Sequence, residues 1–358
     1  MSSSAFSIPP KGRDAVFYGG LNAKVMGLKS QLLSPEDYDS LSKLSTVEAV
    51  AAKLKERPAY ESVMAPLTPE SLHRNIIESR LFLSLSEEYQ RIHSFINDSD
   101  IRGFLDAYFL QYDITLLKLL LCMVYDERSV SYTAADLQCF LGRRRKIDLS
   151  KLAAAKTVSE FLECLKGTEL YGLLHDLGTS GNPSLFDMEM QLDLYYYINF
   201  WKALEKVSDS ANKSLIKQIK GTEVDLRNIL WVYRLKNYYH VPEERIIPYL
   251  IPISYKLTAQ ELLRLAKTKT TGEFMTEIGK TRYGKIFEGM TSPERVFFDV
   301  MSGLYRQTVI RNRQSLAPTI SYIYHKEREI KNITSLLEGV RYSLPPAEIM
   351  AYIFVEPA

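Results

Sequence analysis

Apolar residues recur every three or four positions along most of this chain. Two stripes are especially long, and their members are Ile101, Leu105, Tyr108, Tyr112, Leu116, Leu119 and Met123, and then Phe186, Met190, Leu194, Tyr197, Trp201 and Leu204. This spacing places apolar side chains on one face of an α-helix. Alternating runs typical of β-strands are nearly absent. The pattern therefore predicts an all-α fold.

Prolines mark where several of these helices are expected to begin. The segments Ser34-Pro35-Glu36, Thr68-Pro69-Glu70 and Ser292-Pro293-Glu294 each combine a capping hydroxyl, a proline and an acid. Proline lacks an N–H that the first helical turn leaves unpaired in any case, and the helix dipole favours an acid at that end.

An acid–Asn segment occurs twice in nearly the same form. Asp225-Leu-Arg-Asn228 is matched by Glu329-Ile-Lys-Asn332, and a weaker copy without the asparagine begins at Asp113. A catalytic motif would keep its reactive side chains in every copy. The first copy keeps only the acid and the neighbouring apolar positions, so we interpret the acid–Asn segment as structural, holding helix ends or loops.

Two further elements repeat in the same order along the chain. One has a threonine between apolar residues and a closing tyrosine, with copies at Thr46 and Tyr60, Thr157 and Tyr171, and Thr270 and Tyr283. The other is a capping residue before a proline, at Thr68-Pro69, Asn182-Pro183 and Ser292-Pro293. Successive copies of all three elements lie 104 to 114 residues apart. We therefore predict three similar helical units, 1–110, 111–222 and 223–358, in a pseudo-threefold arrangement.

The composition excludes few classes of function. Of the 358 residues, 46% are hydrophobic and 25% charged, and the net charge is +2. Such a balance gives no general basic field, so nucleic acid is not the expected partner. The cysteines Cys122, Cys139 and Cys164 lack metal-type spacing and are predicted to be buried free thiols in a reducing compartment. The sequence shows neither a signal peptide nor an apolar run of about 20 residues, and we expect a cytosolic protein.

A metal-dependent enzyme is the alternative raised by one acidic group. Asp187, Glu189 and Asp193 could suggest a Mg²⁺ site of an all-α transferase. On a helix, however, residue 187 lies about 160° from residue 189, and no second acidic group follows at a matching spacing. The glycine-rich segment 178–183 lacks the Lys-Ser/Thr of a phosphate-binding loop. The sequence thus predicts no catalytic residue, metal or cofactor.

Two segments are candidate contact loops for partners. The basic run consists of Arg143, Arg144, Arg145 and Lys146, and it could be a solvated loop or a docking patch for acidic partners or anionic headgroups. The equivalent region of the next predicted unit is apolar, and its candidate contact residues are Ile246, Ile247, Tyr249 and Ile251.

Three stretches resemble a known family. They are residues 18–25 (YGGLNAKV) with 29–33, residues 223–236 (EVDLRNILWVYRLK) and residues 327–333 (EREIKNI). Together they are similar to the C/d subunit of the V-type (archaeal and bacterial A-type) rotary ATPases. Met26 departs from the basic residue expected in many relatives. The resemblance implies a non-catalytic, funnel-shaped, three-domain all-α protein.

The same resemblance implies a mechanical function. A member of this family caps the membrane rotor ring at the cytoplasmic face and receives the central shaft. It thereby couples ATP hydrolysis or synthesis to transport of H⁺ or Na⁺. The expected partners are the shaft subunits and the rotor ring, with only indirect or peripheral membrane contact. A helical scaffold of an unrelated complex is the main alternative.

Overall fold

A computed structural model confirms the predicted all-α class. It describes residues 10–65, 67, 74–127, 132, 134–141, 146–178, 184–289 and 292–355. These described residues contain α-helices and one 3₁₀ helix, and no strand occurs among them. The pseudo-threefold, funnel-like arrangement and the bounds of its three units stay predictions.

The chain divides by its internal contacts into two compact units, residues 1–96 with 298–358 (unit 1) and residues 97–297 (unit 2). The helices of unit 1 are α1 (Pro10–Lys29), α2 (Pro35–Ser42), α3 (Val47–Lys55), α4 (Glu61–Met64), α5 (Arg74–His93), α18 (Ala317–Arg341) and α19 (Pro346–Ala351). The long helix α18 contacts α1, α2, α3, α5 and α19 and forms the centre of the packing.

Unit 2 is built around three long helices. The helices of this unit are α6 (Ser99–Tyr125), α7 (Ala134–Leu141), α8 (Leu149–Ala154), α9 (Val158–Cys164), α10 (Glu169–Gly178), α11 (Leu185–Lys206), α12 (Ser210–Asn237), α13 (Glu243–Ile246), the 3₁₀ helix Ile247–Tyr249, α14 (Ala259–Lys267), α15 (Thr271–Gly279) and α16 (Gly284–Phe287). Helix α6 packs along α11, which also contacts α12. The chain passes from unit 1 to unit 2 after Ile96 and returns at Phe298, which lies within α17 (Pro293–Arg311).

The buried face of α6 follows the predicted stripe only at first. Phe104 and Tyr108 pack edge-on against Phe200 of α11, with ring centroids 5.6 and 6.1 Å apart. Toward the end of α6 the prediction is wrong, because Leu119 is 38% exposed while Leu120 is buried. Residue 119 lies five full turns after residue 101 and on the same line of the helix as the buried Ile101, so helical period does not separate the two positions.

Helix α6 also differs from the expectation that no segment is apolar enough to span a membrane. Within the part of the chain that the structure describes, it is the one helix that passes that test by length and composition. However, 61% of its most apolar window is buried inside the protein. The apolar character of α6 is thus mainly that of a core helix.

Polar residues define several helix starts. Ser34 and Asp37 form a reciprocal capping box at α2, and Ser292 accepts a hydrogen bond from the backbone of Arg295 in α17. The capping pairs at residues 68–69 and 182–183 lie outside the described residues. Cys122 and Cys164 are free thiols that are half-buried rather than buried, which corrects the expectation from their apolar neighbours.

Candidate functional site

The acid of the acid–Asn segment in α12 holds a loop in place. The Asp225 carboxylate accepts hydrogen bonds from the backbone N–H groups of Tyr255, Lys256 and Leu257 at 3.2, 2.7 and 3.0 Å. It also accepts one from the hydroxyl of Tyr283 at 2.7 Å. Burial raises the pKa of Asp225, and the donated hydrogen bonds oppose that rise. We call this arrangement the Asp225 clamp.

Close backbone packing accompanies the Asp225 clamp. The ring of Tyr255 lies directly on α12 at Gly221, where an added Cβ would be 2.4 Å from the ring. A side chain at that position would push the loop away from the carboxylate. The loop can therefore approach α12 closely because Gly221 has no side chain, and the Asp225 carboxylate then holds the loop in that position.

The acid of the C-terminal copy makes the same kind of contact in unit 1. Glu329 accepts hydrogen bonds from the backbone N–H of Leu33 and from the hydroxyl of Tyr60. Lys326, one turn earlier on α18, lies 3.0 Å from the carboxylate and 4.2 Å from the centroid of the Tyr60 ring. Lys326 and Glu329 are almost completely buried, so each charge depends on the other for its balance. We call this arrangement the Glu329 clamp.

The two clamps show which copies of the repeated elements belong together. Leu33 lies 13 positions before Thr46, and Leu257 lies 13 positions before Thr270. Glu329 therefore contacts the segment before the first threonine element in the same way that Asp225 contacts the segment before the third. The order of the repeats groups the C-terminal acid with the third unit, whereas in the structure it contacts the N-terminal segment of unit 1. The chain ends thus combine into one packed body.

The asparagine of each segment pairs with a second stretch of backbone. Asn228 accepts from the N–H of Ile251 at 2.9 Å and donates to its carbonyl at 3.0 Å. Asn332 makes the same two bonds to Phe354, at 3.2 and 3.1 Å. An amide side chain offers a donor and an acceptor side by side, so it can make the two hydrogen bonds that a residue of a neighbouring strand would make. The asparagines therefore anchor segments that have no regular secondary structure of their own.

The repeated threonines are helix caps. Thr46, Thr157 and Thr270 adopt extended backbone conformations before α3, α9 and α15. Each hydroxyl accepts a hydrogen bond from the N–H three residues further on, at 3.1 Å in all three cases. They occupy the position that threonine favours before a helix.

A second buried charge group lies on α12 beside the Asp225 clamp. Glu223 contacts Lys220 and Arg227, each at 2.8 Å. Burial would raise the pKa of Glu223, but the two cations outweigh burial and lower it to about 2. Lys220 also lies 4.4 Å from the ring centroid of Tyr108. The Glu223 carboxylate is thus paired with two cations on the same helix, and the three side chains together carry a net charge of +1.

The weaker first copy is only partly described. Asp113 is buried in α6. Arg143, Arg144 and Arg145 lie outside the described residues, while Lys146 is exposed. The basic run therefore stays a candidate contact loop.

Most of the apolar candidate loop is buried. Ile246, Tyr249 and Ile251 belong to the core of unit 2, whereas Ile247 is 40% exposed. Tyr249 donates a hydrogen bond to Asp187, and this contact fixes the 3₁₀ helix to α11. Of the four candidate contact residues in this loop, only Ile247 is exposed, and its role as a contact stays a prediction.

The acidic group on α11 is divided among separate partners. Asp187 accepts from Tyr249, and Asp193 pairs with Lys118 at 2.8 Å. Burial raises the pKa of Glu189, and Lys118 opposes that rise. Among the described residues no group of three His, Cys, Asp or Glu side chains is arranged to hold a metal ion. Within the part of the chain that the structure describes, these three acids are therefore not arranged as one metal site.

The long helices that carry the repeated acids end in the same way. Each has an exposed tyrosine at or next to its last residue and a residue with left-handed backbone shortly after it: Tyr125 with Glu127, Tyr238 with His240, and Tyr342 with Ser343. Sequence reasoning missed these ends. The signal was available, because each tyrosine lies 12 or 13 residues after its acid.

Comparison with known proteins decides the family. The family model described as ATP synthase (C/AC39) subunit matches residues 21–352. The chain belongs to this family. The ATP synthase (C/AC39) match covers both units and includes both clamps, and it confirms the resemblance found in the sequence.

Individual relatives of the ATP synthase (C/AC39) family agree over most of their length. The C subunit of the A-type ATP synthase of Methanosarcina mazei is 26% identical over 324 residues, covering 88% of this chain and 87% of that protein. The corresponding protein of Methanosarcina barkeri is 27% identical, with the same coverage. That of Methanocaldococcus jannaschii is 22% identical and covers 95% of this chain and 87% of its own.

Proposed function

We propose that this chain is a non-catalytic adaptor in the central stalk of an A-type or V-type rotary ATPase. It would join the rotating shaft to the membrane rotor ring at the cytoplasmic face and so couple ATP hydrolysis or synthesis to H⁺ or Na⁺ transport. The observation that carries the proposal is the family match over residues 21–352. The A-type ATP synthase relatives extend over nearly the same length.

The use of the repeated polar residues supports an adaptor over an enzyme. Asp225, Glu329 and the two asparagines are engaged by backbone groups of their own unit. A carboxylate that already accepts several hydrogen bonds is poorly placed to act on a substrate. The same contacts stiffen the packing of short helices against long ones, and a body that transmits torque needs this stiffness.

The proposed partners are the shaft subunits and the rotor ring. Candidate contacts are the basic run ending at Lys146, the exposed Ile247, and the tyrosines at the helix ends. Exposed aromatic residues are enriched where proteins contact each other. Contact with the lipid itself would be indirect or peripheral.

Co-purification from the native membrane tests the proposal. A tagged copy of the chain should bring down the shaft and ring subunits of the ATPase. Recovery of a different set of proteins without these subunits would favour a scaffold of another complex.

Charge reversal tests the basic run separately. Replacing Arg143, Arg144, Arg145 and Lys146 by glutamate should weaken assembly, whereas Lys53→Glu, an exposed charge change in unit 1, should not. If assembly and ion pumping were unchanged in the first variant, the basic run would not be a contact.

A further inference from the structure

A cavity in unit 1 lies beside the Glu329 clamp and shares Leu33 and Glu329 with it. It lies where the end of α1, the start of α2 and the middle of α18 meet the C-terminal segment, and its volume is about 230 Å³. Its lining includes the basic side chains of Lys29, His325 and Arg328, together with the aromatic rings of Tyr38 and Phe354. The wall is therefore basic on one side and aromatic on another.

The guanidinium group of Arg328 has an unused hydrogen-bond donor. Its guanidinium carbon lies 5.2 Å from the ring centroids of both Phe298 and Phe354. The Nε atom is buried and has no hydrogen-bond partner among the described residues. Phenylalanine rings offer no oxygen or nitrogen acceptor, so the buried Nε–H has lost its hydrogen bond to water without a replacement from the described part of the protein. Burial also lowers the pKa of Arg328.

Two acceptor side chains in the cavity wall, Glu329 and Asn332, are already in use. Glu329, an acid of the wall, is engaged by Leu33 through one oxygen and by Tyr60 and Lys326 through the other. The amide of Asn332 is bonded to the backbone of Phe354. Neither of these two side chains is available to Arg328.

The lining of the cavity is mainly basic, although the carboxylate of Glu327, outside the lining, is close enough to oppose the fall in the pKa of Arg328. Lys326 balances the Glu329 carboxylate, which leaves the positive charges of Arg328 and Lys29 in the wall. His325 adds no charge near pH 7, because burial and the nearby Lys29 lower its pKa to about 4. A site with a buried donor, excess positive charge and aromatic walls suits a small anion attached to a short apolar stem.

We propose that this cavity binds a small oxyanion, a carboxylate or a phosphate group, through the Nε–H of Arg328 with help from Lys29. The aromatic wall would accept the apolar stem. This site is independent of the adaptor role and would be present in the isolated chain.

Nuclear magnetic resonance of the full ¹⁵N-labelled chain tests the site directly. The arginine Nε–H signal of Arg328, assigned by its loss in Arg328→Lys, is followed during titration with sodium propionate and with sodium phosphate. Sodium chloride at equal ionic strength is the reference. A saturable shift with propionate or phosphate, absent with chloride, is the expected result, and the tighter ligand identifies the anion class.

Variants decide whether the named side chains bind the anion. Affinity in the variants is read from the backbone amide signals of residues 354 and 355. Arg328→Lys keeps the charge but loses the Nε–H geometry, and it should weaken binding at least tenfold. Lys29→Gln should weaken it several-fold, and Lys53→Gln, an exposed site of unit 1, should leave it unchanged. A linear, non-saturating shift, the same shift with chloride, or equal weakening in all three variants would overturn the proposal.

Discussion

Replacing Glu329 with glutamine would remove the charge that balances Lys326 in the core of unit 1. Lys326 is only 3% exposed, so its ammonium group would remain buried with no carboxylate beside it. Breaking a buried ion pair from one side costs about 3–5 kcal/mol. The glutamine would also have one acceptor oxygen, while Leu33 and Tyr60 would still present two donors. We therefore expect a loss of roughly 4 kcal/mol in the free energy of unfolding.

Urea unfolding followed by far-ultraviolet circular dichroism measures this loss. The matched control is Asp225→Asn, since Asp225 holds a loop in the same way but forms no ion pair with any residue that the structure describes. It should lose about 1–3 kcal/mol. Adding Lys326→Met to Glu329→Gln removes the unbalanced charge and should recover at least half of the loss.

Two outcomes would refute this reasoning about the Glu329 clamp. One is a loss below about 1 kcal/mol for Glu329→Gln, which would mean that the carboxylate is not the buried partner of Lys326. The other is a double variant as unstable as the single variant, which would show that hydrogen bonding to the loop, and not charge balance, dominates.

Three further changes test other parts of the structure by unfolding measurements. Asn228→Ala leaves the buried N–H and C=O of Ile251 unpaired and should lower the free energy of unfolding by about 3 kcal/mol. Asn332→Ala should lower it by only about 1–2 kcal/mol, because its hydrogen bonds are half-buried. Equal losses in the two variants would contradict the argument from burial. His325 has a pKa of about 4 in the folded state and near 6.5 when unfolded. The unfolded chain therefore takes up the proton first, and stability should fall as pH drops from 6.5 to 4, by up to about 1.4 kcal/mol per pH unit. His325→Asn should flatten this slope, and an unchanged slope would refute the assignment. Gly221→Ala should lower the free energy of unfolding by about 2 kcal/mol or more, because the new methyl group displaces the Tyr255 ring. Gly19→Ala has open space around it and should raise that free energy by about 0.5–1 kcal/mol. A gain in both variants would contradict the close packing at Gly221.

Local features of this protein could be predicted from sequence with good accuracy. The proline-started helix after Ser34 follows from local chemistry that acts over three or four residues. The all-α class follows from a periodicity that extends through most of the chain. The family could be recognised because its most distinctive segments are continuous in sequence.

The contacts of the repeated acids could not be predicted, because they are not local. Glu329 and Tyr60 are separated by 269 residues, and nothing in either segment identifies the other. The repeat suggests that the C-terminal copy belongs with the third unit, and only packing shows that it meets the N-terminal segment. The apolar segment around Ile246 illustrates a second limit, since burial and docking both require apolar residues.

Ion pumping by the complex with and without this chain tests the proposed function most directly. The rotary ATPase would be reconstituted into vesicles from which the chain has been omitted, and ATP hydrolysis and ion uptake would be measured together. The adaptor role predicts that hydrolysis continues without ion uptake, and that adding the purified chain restores uptake. Ion uptake per ATP that is the same with and without the chain would contradict that role.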